Sequence, residues 1–375
     1  MAELLKNIYN PVFFDEFTIA ISKAKPRFDK GSFCASIQSE GWDKMELKQR
    51  MRHIASVLHK ELAGNYPQKL EQLLKIMDFV PRKSAGEYGS LAYMLIPDFV
   101  EQYGLDDLKI SLEAMERITQ FTSCEFAVRP YLLKYPDTVM PQMFDWSLHP
   151  SEKVRRFSSE GCRPRLPWAM AIPFLKKDPS PILPILENLQ NDSSEFVRRS
   201  VANNLNDISK DHPGLVIEIT KKWIGHSPAT DRILKHGCRS LLKKSNIETL
   251  QLFGTAAHTK CSVLNLGLDA LSIRIGEQIK FSFDVVLKEK KVSFLRLEYL
   301  IYFMKANGKA SKKIFKIAES EFEPLKIVSY KRKHSFKDLT TRKHYTGLHM
   351  LSIVVNGQEL QSIHFHLTAS SKKPV

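Results

Sequence analysis

The first 250 residues repeat apolar positions at helical spacing. Pro11-Val12-Phe13-Phe14 opens an apolar turn, and Leu47, Met51, Ile54 and Leu58 recur at steps of three and four. That period turns one face of a helix toward a core. Similar runs cover 70–79 and 108–121, with Pro97 and Gly104 as breaks between them. After Gly254 the period changes to two. Ser272-Ile273-Arg274-Ile275 is a short alternating run, Lys280-Phe281-Ser282-Phe283-Asp284-Val285 is a clearer one, and 294–303, 313–317, 326–330, 348–355 and 360–367 follow. Asn307-Gly308 and Asn356-Gly357 are hairpin-turn signals. About seven strands in roughly 110 residues fit an immunoglobulin-like sandwich, and Tyr345 stands where such folds place a corner tyrosine. The expected architecture is α+β and multidomain: a helical domain over 1–254 and an immunoglobulin-like β-sandwich over 260–372.

The helical part contains an internal repeat. Ser123-Cys124-Glu125-Phe126-Ala127-Val128-Arg129 resembles Ser193-Ser194-Glu195-Phe196-Val197-Arg198-Arg199, and Ser151-Glu152-Lys153-Val154-Arg155-Arg156 lies between them. Each copy has Glu followed four residues later by Arg: Glu125 and Arg129, Glu152 and Arg156, Glu195 and Arg199. On a helix such pairs share a face and can bridge. Ala229 to Lys235 reads as a fourth, degenerate copy. Helical units joined by Asp/Pro/Ser turns, such as Lys177-Asp178-Pro179-Ser180-Pro181, indicate an α-solenoid of HEAT type. Such arrays line a concave surface with one helix of each pair, so the matched helices should form it.

Charge sharpens this picture. The formal net charge is +15. Basic and acidic residues nearly balance over 1–150, at 18 against 20. They stand at 17 against 11 over 151–250 and 21 against 10 over 251–375. An excess that begins with the repeats favours a polyanionic partner. Five scattered cysteines with no C-x-x-C pair argue against a disulfide framework or zinc site and for a reducing compartment. No signal peptide or membrane-length apolar run is apparent, so a soluble cytoplasmic protein is expected. His364 and His366 share a strand face without a third ligand, and no metal or other cofactor is expected.

The candidate chemistry lies between Arg155 and Asp211. Glu152, Arg156 and Glu160 fall on one helix face, and Glu195, Arg199, Asn203 and Asp207 fall on the equivalent face of the next copy. Bridging to arginine is the simpler reading for Glu152 and Glu195, and it stays open for Glu125. Glu160 sits at a helix end. Asp207 has Asp211, an acid, four residues on, although Lys210 at three can still bridge it. An acid beside an acid is a poor bridge and a good electrostatic site. In Arg163-Pro164-Arg165-Leu166-Pro167-Trp168 two prolines stiffen the backbone around two guanidinium groups and an indole. Trp168 is there either a staple against the next helix or a ligand contact.

Three segments, 125–130, 154–168 and 200–213, resemble the signature segments of AlkC-type DNA glycosylases. These belong to the HEAT-like-repeat DNA alkylation repair superfamily, whose AlkD branch lacks a β-sandwich. The resemblance implies a monofunctional enzyme that excises alkylated bases, chiefly 3-methyladenine, from double-stranded DNA without full base flipping and without a cofactor. By position Glu125, Glu160, Trp168 and Asp207 match the family's active-site residues. Carboxylates suit the oxocarbenium-like sugar left when a cationic base departs, and an aromatic face suits that base. Arg129, Arg156, Arg163, Arg165 and Arg199 are expected to grip phosphates, with Lys331, Arg332, Lys333, Arg342 and Lys343 clamping from the sandwich. A monomer, nucleoid-associated when bound to DNA, is expected. The alternative is a non-enzymatic HEAT-repeat scaffold that binds nucleic acid or protein.

Overall fold

The computed structural model describes residues 4–38, 41–81, 89–244, 246–254, 259–339 and 343–370. Its helices run α1 (Pro11–Ala24), α2 (Lys30–Ile37), α3 (Leu47–Glu61), α4 (Tyr66–Phe79), α5 (Leu95–Tyr103), α6 (Leu108–Thr119), α7 (Val128–Lys134) and α8 (Pro136–Ser147). They continue as α9 (Glu152–Gly161), α10 (Pro173–Lys177), α11 (Leu183–Leu189), α12 (Glu195–Ile208), α13 (Pro213–Trp223), α14 (Pro228–Gly237), α15 (Arg239–Lys243) and α16 (Ile247–Leu252).

Local chemistry sets the starts of these helices. Asn10 accepts from the Phe13 amide at 3.0 Å ahead of Pro11. Asn65 and Gln68 cap one another's backbone at α4. Such caps satisfy donors that a helix leaves unpaired. The repeat inferred from sequence is an α-solenoid of HEAT-like pairs. Here α8 packs on α9 and α11 on α12, and like elements stack, α8 on α11 and α9 on α12. The contacts divide the chain into two compact units. One holds Met1–Asp211 and Ser227–Ile233, and the other holds His212–His226 and Leu234–Val375. Helices after 211 thus group mostly with the sheets, although the composition changes only after 254.

The second unit contains a two-sheet sandwich. Its strands are β1 (Cys261–Leu268), β2 (Ser272–Arg274), β3 (Gln278–Leu287), β4 (Ser293–Met304), β5 (Ala310–Phe322), β6 (Ile327–Ser335), β7 (Gly347–Val355) and β8 (Gln358–Thr368). One sheet runs β1-β3-β6 and the other β2-β8-β7-β4-β5. In β3, Ile279, Phe281, Phe283, Val285 and Leu287 point into the core, which Leu297, Tyr299, Ile301, Leu351 and Phe365 complete from the facing sheet. Asn356 (φ 49°) and Gly357 (φ 83°) form the tight β7–β8 turn, as an Asn-Gly pair favours. Tyr345 is exposed, so it does not serve as a buried corner. All five cysteines are free, and Cys124, Cys162 and Cys238 are buried.

Candidate active site

The site grows from the contact of α9 with α12. The two helices meet at small buried side chains, Ser159 on one and Ser200 on the other. Asn204 Nδ2 donates to the Ser159 carbonyl at 2.9 Å. The Ser200 hydroxyl lies 3.0 Å from that of Ser159 and donates to Glu160 Oε2 at 2.6 Å.

Glu160 and Asp207 meet at one guanidinium. Arg163 donates from Nη1 to Glu160 Oε1 at 2.6 Å and from Nε to Asp207 Oδ2 at 2.8 Å. Lys210 Nζ holds Asp207 Oδ1 at 3.0 Å. On the other side Arg156 bonds Glu125 Oε2 and the Ser123 hydroxyl, and its Nη2 lies 3.6 Å from Glu160 Oε1. Acids and bases therefore alternate in a line: Glu125, Arg156, Glu160, Arg163, Asp207, Lys210. The carboxylates are nearly enclosed, with side-chain exposures of 15, 7 and 2% along that line. Burial alone would lower the Arg163 pKa. The carboxylates of Glu160 and Asp207 outweigh burial and raise it, so the cation persists.

Trp168, on the loop that follows Arg163, has 63% of its surface exposed. It is not a staple. Its φ of 64° is left-handed, a conformation that non-glycine residues seldom hold. The loop around it closes through Ala169 N to Leu166 O and Ile172 N to Pro164 O, both at 3.3 Å.

The expected arginine roles divide. Arg129 is fully buried and donates from Nε to the Met170 carbonyl at 2.6 Å, and from Nη1 to those of Gly161 and Arg163 at 3.0 and 2.9 Å. It is not a phosphate ligand: its Nε and Nη1 are spent on backbone, and burial draws its pKa down to about 10. Arg163 is likewise enclosed between its two acids rather than open to phosphate. Arg165 is partly exposed and paired with Asp211, and Arg199 is exposed and paired with Glu195. Lys331, Arg332, Lys333 and Lys343 are exposed, and Arg342 lies outside the described residues.

Two of the three expected Glu–Arg bridges rearrange. Arg156 reaches back to Glu125 in the preceding repeat, and Glu152 takes the Ser194 hydroxyl. The first arginine of each pair has a matched duty. Arg155 bonds the carbonyls of His149 and Pro150, and Arg198 those of Asp192 and Ser193, each just ahead of its helix. Sequence reasoning passed over Ser200, Asn204 and the exposed Phe196, whose ring lies 4.9 Å from the Arg156 guanidinium. The small residues Ser158, Ser159 and Gly161 around Glu160 were the available signal. No His, Cys, Asp or Glu cluster among the described residues could hold a metal ion. No described helix is long and apolar enough to cross a membrane.

Comparison with known proteins shows what the chain as a whole resembles. The model of the family described as "DNA alkylation repair enzyme" matches residues 46–239. The model of the C-terminal Ig-like domain of the uncharacterised protein YhaZ matches residues 262–369. YhaZ of Bacillus subtilis (strain 168) is 43% identical over 364 residues, covering 97% of this chain and 99% of that protein. The alkylpurine DNA glycosylase AlkC of Pseudomonas fluorescens, solved bound to DNA containing an abasic site analog, superposes with a TM-score of 0.90 at 34% identity. That match covers 98% of this chain and all of the other. With HEAT-like helical repeats followed by an Ig-like sandwich, the chain belongs to the DNA alkylation repair enzyme family, in its AlkC-type form.

Proposed function

We propose that the protein is a monofunctional DNA glycosylase that hydrolyses the N-glycosidic bond of cationic alkylpurines, chiefly 3-methyladenine, in double-stranded DNA. The observation that carries this reading is the line of three carboxylates held by Arg156 and Arg163, with an exposed indole on the loop that follows Arg163. The relative solved on DNA with an abasic site analog supports it, because an abasic site is what such a cleavage leaves.

The chemistry needs little acid help. A 3-alkylated purine already carries positive charge, so the C1′–N bond breaks with its electron pair moving onto the base, which leaves neutral. Positive charge then builds at C1′. Glu125, Glu160 and Asp207, held in place by their arginines, stabilise that charge from a fixed position. Water supplies the new C1′ oxygen and loses its proton to a carboxylate or to solvent. Trp168 contacts the deoxyribose or the cationic base, worth about 0.5–2 kcal/mol. Selectivity then comes from lesion charge, and full extrusion of the base is not needed. In this reading residues 1–254 form the catalytic domain and 260–372 a DNA-binding domain of a monomer that works in the cytoplasm, on the nucleoid, without a cofactor.

Purified protein should release 3-methyladenine from methylated duplex DNA. Glu160→Gln and Asp207→Asn should each slow single-turnover release by about 100-fold or more, near 3 kcal/mol. Affinity for abasic-site DNA should change only a few-fold. Release at the unaltered rate by both variants, with melting curves matching the parent, would favour the non-enzymatic scaffold instead.

A further inference from the structure

The loop that carries Trp168 is fixed from two directions by cations that the proposed reaction does not use. From below, Arg129 ties the carbonyls of Gly161 and Arg163 on one side of the loop to that of Met170 on the other. One planar, buried fork thus sets both ends of the segment relative to α7. From above, Lys48 of α3 donates from Nζ to the Trp168 carbonyl itself at 2.9 Å, across 120 residues of sequence. The same ammonium lies 4.9 Å from the centre of the Phe126 ring, next to Glu125. A left-handed non-glycine residue persists only where its surroundings over-determine it. At Trp168 the internal loop bonds are long, 3.3 Å each, and shorter bonds from these two cations fasten the apex and the base of the loop.

We infer that Lys48 and Arg129 are positioning residues which hold the Trp168 indole where it meets the substrate, an inference that rests on the proposed glycosylase reading. Arg129 sets the base of the loop, and Lys48 holds its apex in the left-handed conformation. Helix α3, remote in sequence from the carboxylates, then takes part in the site through the backbone of Trp168. The two differ in accessibility. Arg129 is wholly buried, so its loss also threatens folding, whereas Lys48 is exposed and its variants should fold.

The decisive variant is Lys48→Met, which keeps the stem and removes the donor, with Lys48→Arg as the conservative rescue. Single-turnover release of 3-methyladenine should fall about tenfold in Lys48→Met and return to within a few-fold of the parent in Lys48→Arg. In a Trp168→Ala background, Lys48→Met should cause no further loss. An equal fall in both backgrounds would mean that Lys48 acts on DNA directly or on the fold, and the inference would be overturned. A second readout does not depend on activity. With 5-fluorotryptophan in place of the four tryptophans, the ¹⁹F resonance that disappears in Trp168→Ala should shift or broaden in Lys48→Met and be restored in Lys48→Arg. Arg129→Lys, if it folds, should move the same resonance. An unmoved Trp168 signal in Lys48→Met defeats the inference even if the glycosylase reading holds. A parent protein that releases no base defeats that reading while leaving the resonance test intact.

Discussion

Arg163 decides more of this site than any other side chain. It lies between Glu160 and Asp207, almost wholly enclosed, and joins two repeats through one guanidinium. Removing one member of a buried ionic set leaves the others uncompensated, which typically costs about 3–5 kcal/mol. Arg163→Met should therefore lower the urea-unfolding free energy by roughly that amount, whereas Arg199→Met should change it by under about 1 kcal/mol. The contrast follows because Arg199 and Glu195 are both largely in water. A similar small loss for both would mean that the enclosed set contributes little. Sequence located Glu160 and Asp207, because each sits at the same face of a matched helix. It misassigned Arg163 and Arg129 to phosphates, because cation count and spacing do not reveal which guanidinium groups are enclosed. Arg163 and the loop carbonyls that engage Arg129 lie partly outside the repeat period, where periodicity carries no information.

At the scale of elements, the seat of α9 against α7 and α8 depends on a side chain that is absent. A Cβ at Gly161 would lie 2.9 Å from Val128 Cγ1 and 3.0 Å from Met143 Cε. Those are core side chains, and overfilling a packed core costs about 1–3 kcal/mol. Gly161→Ala should lose stability in that range by thermal or urea unfolding. It should also disturb Glu160, the preceding residue, so base release should fall by more than the unfolded fraction accounts for. The helices of this region were legible from period and caps, as were the Asn-Gly turn at 356–357 and the alternating β3. Strand β1 was not. A register shift between Leu264 and Gly267, with Asn265 at φ 54°, breaks its alternation. Apolar residues on both faces of the bulge then resemble a linker. The cross-repeat bond from Arg156 to Glu125 was hidden for another reason: an i,i+4 partner on the same helix is the nearest candidate in sequence, yet the stacked neighbour is nearer in space.

The whole molecule places its positive charge unevenly, and the sandwich shows where part of it goes. Lys280 and Lys333 are direct partners across β3 and β6, and Lys331 lies opposite Ser282 on the same face. Like charges directly opposite one another destabilise a sheet, so this strip is better suited to an anion than to solvent alone. Together with Arg332 it lines an open recess of about 650 Å³. Replacing Lys331, Arg332 and Lys333 with Gln should flatten the dependence of log Kd on log salt by up to about three, at about 0.9 for each phosphate no longer neutralised. It should do so without abolishing single-turnover release at saturating protein. An unchanged slope would remove this strip from the DNA interface.

The cysteines carry a different consequence. Burial pushes every one of the five thiols above its ordinary pKa: Cys34, Cys124 and Cys238 by direction, Cys162 to about 12 and Cys261 to about 11. Sulfur reacts with soft electrophiles as the thiolate, not the thiol. In the proposed reading, where methylating reagents create the substrate, the cysteines thus meet those reagents mostly as thiols, the less reactive form.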